Sequence, residues 1–413
     1  MENELNFQVK NFGPIHEAKM TIGKINVIGG YNATGKSTVS KLLYCILKAS
    51  CNNRQDFAYD SMKGRIAMLT DRIGDDRIRP SQVSQMDIFE LLENYESAKD
   101  EYFSFNKHRR LRNKNIETMD NLLAIIEKND DSLYLSIIKN LLKIEFLSKN
   151  FSGCFRLNGI LNDESFDYSA NLENESNIDF NGSFSSKGII NFHDVFYLES
   201  FSIFEVGRRI SRFEDYYTRS QYLLKILRDD ESLVLFDDEA NKDIISVEQK
   251  IEDIIHGKLC FDGKKLIFNS NNSQSFDMGN TASGIKQIGV VQLLLSNRKL
   301  QEGSVLIIDE PEVNLHPEWQ EKFAEILTLL AKYLNITLFI NSHSPLFIEA
   351  IRTYSEKYGL LKNTTFYLTD ESEIKDKFDI IRISIDDLNM IYSVLGQPYE
   401  KLTEISIENE FKL

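Results

Sequence analysis

The chain has 413 residues, 42% of them hydrophobic and 27% charged. That is enough apolar material for two or three folding units with a buried core, and it excludes global disorder. With 48 Lys+Arg against 63 Asp+Glu the net charge is −15, so a general polyanion-coating protein is excluded and any nucleic-acid contact must come from a local basic patch. No apolar run approaches the roughly 18 residues of a membrane helix. The opening MENELNFQVK is acidic and polar, unlike a secretory leader. Cys45, Cys51, Cys154 and Cys260 are scattered without a CxxC pair, which reads as reduced thiols of a cytosolic protein. There is no internal repeat and no heptad run long enough for a long coiled coil.

The first 50 residues read as strand, turn, strand, glycine-rich loop and helix. Ile25 to Ile28 is a short apolar run ending in Gly29-Gly30. After the loop, Val39, Leu42, Leu43, Ile46 and Leu47 recur at helical spacing. Between them lies GYNATGKST, Gly30 to Thr38, which fits G-x-x-x-x-G-K-[ST] at Gly30, Gly35, Lys36 and Ser37. A loop that wraps a polyphosphate with backbone N–H groups needs glycine where a Cβ would collide. The following helix turns its positive dipole end to the phosphates. Lys36 is then the candidate for the β- and γ-phosphates of ATP, and Ser37 for Mg²⁺. Asn32 and Thr38 complete the candidate nucleotide contacts of the loop. The strand before and the amphipathic helix after are the context that separates this motif from an ordinary glycine turn.

Residues 51–149 are charged and mostly helical in pattern. DIFELLENYESAKDEYF and DSLYLSIIKNLLKIEFL carry apolar residues three and four apart. KHRRLRNK, Lys107 to Lys114, is a grip for nucleic-acid phosphates or, as the acidic whole favours, a solvated or partner-docking helix face. From 151 to 198 Asn, Ser, Gly and Phe dominate, and turn signals at Asn158-Gly159 and Asn181-Gly182 predict a small antiparallel β region. Arg208, Arg209 and Arg212 read as a second basic grip, an intersubunit pair or plain surface charge. Helices are predicted near 212–228 and 243–257, then a hairpin turning near Asp262-Gly263. His16, His108, His193 and His256 have no metal-ligand spacing.

From about 283 the pattern alternates helix and strand, which is α/β texture. In TASGIKQ, Thr281 to Gln287, Ser283 and Gly284 open a helix running through Ile288, Val291, Gln292, Leu294 and Leu295. Ser283 and the helix N-terminus have donors for a γ-phosphate, although Ser-Gly helix starts are commonplace. In SVLIIDEPE, Ser304 to Glu312, Val305 to Ile308 is a continuous apolar strand ending in Asp309-Glu310. That sets two carboxylates at the strand edge where α/β sheets bind ligands. Asp309 is the candidate for the Mg²⁺ hydration shell, and Glu310 for polarising the attacking water. The long gap from Lys36 requires a large insertion, consistent with residues 51–190. A helix from Pro317 to about Tyr333, burying Trp319, Phe323, Ile326, Leu327 and Leu330, leads to INSHSP, where His343 follows the strand Leu338 to Ile340. Two strands, Thr365 to Leu368 and Ile380 to Ile385, then a helix and a tail come after, with no D-x-D pair at a strand end.

GYNATGKST, TASGIKQ, VLIIDEPEVNLHP and INSHSP, in that order, resemble the ABC-type ATPase heads of the RecF, SMC and OLD group. The opening VKNFGPIHEAKMTIGKINVIGG is similar as well, so the resemblance brackets nearly the whole chain; residues 51–190 match nothing in it. It implies an α/β fold, an ABC-type P-loop NTPase head with a helical insertion and a small antiparallel β region. The head would begin in residues 1–50, the insertion would span 51–149, and the rest of the head 150–413. It implies ATP and Mg²⁺ as cofactors and a homodimer or higher homo-oligomer with ATP between two chains. Ser283 and Gly284 would be the signature, Asn314 to Pro317 the D-loop touching the partner, and His343 the switch histidine at the γ-phosphate. The signature is reduced to ASGIK, with Lys286 where transporters have Gln, which argues against transport, and the Q-loop residue has no match. OLD nucleases add a TOPRIM domain that has no counterpart here. The resemblance to standalone ATPases of anti-phage systems such as Septu therefore implies a cytoplasmic protein, away from membranes, with a separate nuclease or toxin as effector. The competing expectations are a RecF-like ATPase acting directly on DNA and an ATP-locked scaffold with negligible turnover.

Overall fold

The structure is a computed structural model that describes residues 4–73, 88–105, 114–129, 131–146, 152–161, 164–174, 177–183, 192–199, 219–228, 241–262 and 265–410. Leu5, Phe7 and Val9 alternate along β1 (Glu4–Phe12) and face the core. Gly13, at φ 56, turns the chain into β2 (Ile15–Ile22). The next strand, β3 (Ile25–Gly29), is buried at every position. The segment thus holds three strands where two were expected, because Gly13-Pro14 makes a hairpin ahead of the P-loop strand. Helix α1 (Lys36–Ala49) follows, then α2 (Arg54–Ile73), α3 (Ile88–Phe105), α4 (Lys114–Lys128) and α5 (Asp131–Phe146).

The 51–149 helices are rooted in the head. Phe57, Met62 and Ile66 of α2 and Leu133, Ile137 and Leu141 of α5 belong to the same continuous apolar core as β3 and α1. Phe146 meets Phe12 edge to face at 5.1 Å. Arg54 Nε donates to Asn129 Oδ1 at 2.8 Å and ties the start of α2 to the end of α4. Of the basic run only Lys114 is described, at the start of α4. The remainder of that run, and Arg208, Arg209 and Arg212, lie outside the described residues.

The chain returns through β4 (Gly153–Leu161), β5 (Glu164–Asn174), β6 (Asn177–Ser183) and β7 (Val195–Glu199). Asn158-Gly159 and Asn181-Gly182 do not mark turns. Asn158 pairs with Asn6 and Asp167 inside the sheet, and Asn181 pairs with Ser169. Ladder pairing, on both sides for Asn158 and on one side for Asn181, overrides the local turn preference. Helices α6 (Arg219–Arg228) and α7 (Asn241–Ile255) precede the strands β8 (Gly257–Asp262), β9 (Lys265–Ser270) and β10 (Ser275–Asp277). The rest is α8 (Ser283–Ser296), β11 (Val305–Asp309), α9 (Pro317–Tyr333), β12 (Thr337–Ser342), α10 (Pro345–Lys357), β13 (Thr364–Glu371), β14 (Phe378–Ile383) and α11 (Asn389–Glu410).

Eleven strands among the described residues form one sheet, ordered β6-β5-β4-β1-β2-β14-β13-β3-β12-β11-β7. From β13 to β7 neighbours run parallel. Burial on both faces explains why β11 reads as an unbroken apolar run to Ile308, while β3 is interrupted only by buried Asn26, whose amide donates to Gly23 O and Leu338 O at 2.9 Å. At the other end β4, β5 and β6 are antiparallel, the β region expected from composition, and they extend the main sheet through β1. Strand β7 departs from that expectation, since it lies parallel to β11 at the far edge. A separate antiparallel sheet, β10-β9-β8, carries the expected hairpin, with Asp262 paired to Lys265. It packs on α8, where Gly289 leaves room for Leu259, which a Cβ would approach to 2.1 Å.

Register aligns the functional edge. Gly29 of β3 is level with Ser342 of β12, and Asn341 of β12 is level with Asp309 of β11, which is level with Glu199 of β7. The loops leaving β3, β12 and β11 therefore open on one edge of the sheet, its carboxyl end.

Candidate functional site

The loop after β3 has a backbone only glycine tolerates at two points. Gly30 has φ 150 and Gly35 has φ 97. A Cβ on Gly30 would meet Thr369 Oγ1 at 1.8 Å, and one on Gly35 would meet Ile15 Cδ1 at 2.3 Å. The glycines let the loop lie against β13 and β2 while its outer side stays open, with Asn32 exposed and Ser37 and Thr38 half-buried. Thr34 Oγ1 donates to Tyr31 O at 2.8 Å and accepts from Thr369 Oγ1 at 2.8 Å, which fixes the loop's inner side. Lys36 is buried at 4% exposure, with Nζ donating to Gly30 O at 2.8 Å and Tyr31 O at 2.6 Å. Burial pushes its ammonium below the usual lysine range, partly offset by the negative charges of Glu310, Asp309 and Glu312. So Lys36, far from these carboxylates in sequence, shares their electrostatic environment.

Asp309 ends β11 at 6% exposure. Its Oδ1 accepts from Asn341 Nδ2 at 2.9 Å and its Oδ2 from Tyr197 OH at 3.2 Å. Burial pushes the Tyr197 hydroxyl well up, which keeps it a donor. Asn341 also bonds Ser40 of α1 at 2.7 Å, so Asp309 is tied to the helix that opens with Lys36 and Ser37. Glu310 stands in the left-handed region at φ 56, its side chain 33% exposed. Its main chain is pinned from both sides. Glu310 N donates to Asn341 O at 2.9 Å, and its carbonyl accepts from Gln287 Nε2 at 3.1 Å. Glu199 lies beside Asp309 in register, paired with Lys41 at 3.2 Å and Arg219 at 3.3 Å. Burial raises its carboxyl, but Arg219 and Lys41 outweigh burial and hold it below the usual range.

His343 follows β12. Its Nδ1 is 3.8 Å from Glu310 Oε1 and 3.3 Å from Glu312 Oε1. Structure thus joins Lys36, Asp309, Glu310 and His343 at one edge. Ser283 is the first residue of α8 and half-buried, with Ala282 as N-cap. Gly284 is buried, and a Cβ there would meet Leu315 Cδ2 at 2.7 Å and Asn314 O at 3.3 Å, so Asn314 and Leu315 rest on the start of α8 in the same chain. Three buried polar atoms lack a hydrogen-bond partner around Glu310: Gln287 Oε1, Glu312 Oε2 and His343 Nδ1. Tyr197, Glu199, Asn341, Gln287 and Glu312 escaped sequence reading as site residues. Glu312, Gln287 and Asn341 lie inside the quoted DEPE, TASGIKQ and INSHSP, whereas Tyr197 and Glu199 carried no signal.

The donors fit the expected ligands. Glycines forced by close packing, backbone N–H groups at the start of α1 and a buried ammonium suit a polyphosphate. Ser37 and Asp309 offer hard oxygen ligands, as Mg²⁺ prefers. No cluster of three or more His, Cys, Asp or Glu for a metal exists among the described residues.

A glycine loop after β3 and an acidic strand end at β11, either side of β12 on the carboxyl edge of one parallel sheet, define a P-loop head of the ABC-type fold. A family model described as "AAA domain, putative AbiEii toxin, Type IV TA system" matches residues 25–349, and the chain belongs to that family. The bacitracin transport ATP-binding protein BcrA of Bacillus licheniformis is 27% identical over 181 residues, 38% of this chain and 56% of that protein. The chain thus spans about half the length of that curated relative. Among solved structures, the SMC head domain of Thermotoga maritima is similar at 12% identity and a TM-score of 0.42, covering 93% of this chain and 100% of that one. The Smc head of Pyrococcus furiosus bound to the C-terminal domain of ScpA is similar at 8% identity and a TM-score of 0.45, covering 94% and 98%. Among the described residues no helix is long and apolar enough to cross a membrane.

Proposed function

We propose that the protein binds ATP at the Gly30–Thr38 loop and hydrolyses it to ADP and phosphate. The observation that carries this reading is the register of the sheet, which sets the glycine loop after β3 and Asp309 at the end of β11 on one carboxyl edge, either side of β12. In this reading Lys36 leaves the carbonyls of Gly30 and Tyr31 for the β- and γ-phosphate oxygens, which are stronger acceptors. The loop N–H groups, with Asn32 and Thr38, hold the remaining phosphate oxygens. Mg²⁺, held by Ser37 and Asp309, supplies charge neutralisation at the phosphates. Glu310 accepts the proton of the water that attacks the γ-phosphorus, and the bond to the β–γ bridging oxygen breaks. His343, beside Glu310, senses the γ-phosphate.

The same reading makes the working unit a homodimer or larger homo-oligomer, with Ser283 and Gly284 of one chain closing on the ATP of another and Asn314 to Pro317 at the interface. ATP would then act as a switch for a separate effector, a nuclease or toxin, in anti-phage defence. A toxin system in the family description supports an effector-linked role. Phosphate release by the purified protein, with and without Mg²⁺, tests the core of the reading. ATP binding without any release of phosphate would leave only a nucleotide-locked scaffold.

A further inference from the structure

Glu312 has no assigned role, yet its carboxylate is among the most committed groups at the site. The residue is 4% exposed. It sits in the turn after β11, but its side chain crosses to the turn after β12. There a single oxygen, Oε1, accepts from Ser342 Oγ at 2.8 Å, His343 N at 2.7 Å and Ser344 N at 3.1 Å. Those N–H groups precede α10, whose own N-cap is Ser344, with Oγ accepting from Phe347 N at 3.2 Å. The carboxylate therefore extends the cap by one more layer and holds the backbone of His343 from below. The imidazole stands between two acids, with Nδ1 3.3 Å from Glu312 and 3.8 Å from Glu310. Burial pushes the Glu312 carboxyl above its ordinary value despite the donors around it, so the group is kept there against its own solvation.

We infer that Glu312 is a positioning residue that fixes the His343 backbone, and through it the place of the imidazole beside Glu310, and so sets the geometry of the γ-phosphate end of the site. This rests on the ATPase reading above for its catalytic consequence, though not for its structural one. The bland alternative is a staple that merely joins two turns. A staple would affect stability and nucleotide affinity along with turnover. A positioning residue affects turnover first.

Three proteins decide it: wild type, Glu312→Ala and Glu312→Gln. The glutamine carbonyl is an acceptor of the same shape for the three donors, whereas alanine offers none. The expected result for Glu312→Ala is a kcat reduced on the order of tenfold to a hundredfold, as for a small misplacement of a catalytic group. Its KM for ATP should stay within about twofold, since uniform binding is untouched. Glu312→Gln should recover most of the kcat. In nucleotide-free protein carrying ¹³C-labelled histidine, the His343 ring signal should move in Glu312→Ala. It is one of only six histidines and is assigned by its loss in His343→Ala. A Glu312→Ala protein with wild-type kcat and an unmoved His343 signal overturns the proposal. So does one in which kcat, ATP affinity and melting temperature fall together. If wild type releases no phosphate, the ATPase reading fails, and the ring signal alone still decides whether Glu312 holds His343.

Discussion

Lys36 holds an ammonium away from water on two carbonyls of its own loop. A phosphate gives it a better partner, so removing it should act on binding before anything else. Lys36→Ala is expected to weaken ATP binding about tenfold to a hundredfold, matching the about 1.5–3 kcal/mol of a hydrogen bond to a charged group. Calorimetry with ATP reads this directly, and unchanged affinity would remove the loop from the site. Glu310→Gln keeps shape and loses only basicity. ATP affinity should persist while phosphate release falls about 100- to 10,000-fold. Wild-type turnover in that variant assigns the base elsewhere. These residues were legible because chemistry fixes their spacing within a few positions. Tyr197, Asn341 and Gln287 were not, because each acts on a residue distant in sequence: Tyr197 and Asn341 on Asp309, Gln287 on Glu310. An Asn or Tyr inside an apolar strand gives no local sign that it faces a carboxylate.

At the scale of elements, α1 runs from the phosphate loop to a fully buried ion pair. Lys48, at 0% exposure, contacts Asp194 just before β7, and its Nζ lies 3.7 Å from the Tyr222 ring centroid and 4.8 Å from that of Phe57. Asp194 also accepts from Tyr222 OH at 2.6 Å, Asn53 Nδ2 at 3.0 Å and Val195 N at 2.6 Å. One network thus joins α1, α2, α6 and β7. Asp194→Ala strands an ammonium in the core and is expected to cost about 3–5 kcal/mol in urea unfolding. Lys48→Met should cost less, because Asp194 keeps three donors. Equal losses would mean that the pair acts only through its charge balance. The elements themselves were largely readable, since helical spacing and apolar runs marked α1, α8, β11, α9 and β12. β7 was not. Its five residues sit in an Asn- and Ser-rich stretch, and only pairing with β11 shows that it belongs to the parallel half.

For the whole molecule, the proposed sandwich makes a mixing experiment informative. Lys36→Ala disables the loop of its own chain, and Ser283→Arg disables the signature it offers a partner. A heterodimer of the two carries one site with both defects and one with neither. Part of the activity should therefore return when the two inactive proteins are combined. No recovery in verified heterodimers would mean that each chain completes its own site or that both sites must fire together. Scattering of Glu310→Gln with and without ATP separates these, since only the second requires an ATP-bound dimer.

The position of β3 in the sheet also imposes a timetable. Its two neighbours are β12 and β13, through pairs such as Ile25 with Leu338 and Ile25 with Thr364. Gly30 also leans on Thr369 of β13. On the ribosome the phosphate loop therefore emerges long before the two strands that shape it. If the loop holds nucleotide as proposed, a nascent chain carries the motif without its cradle until β13 has docked. Such late, long-range closure is slow. Refolding followed by fluorescent ATP analogue should show binding return only with the slowest phase, after most helical signal has recovered.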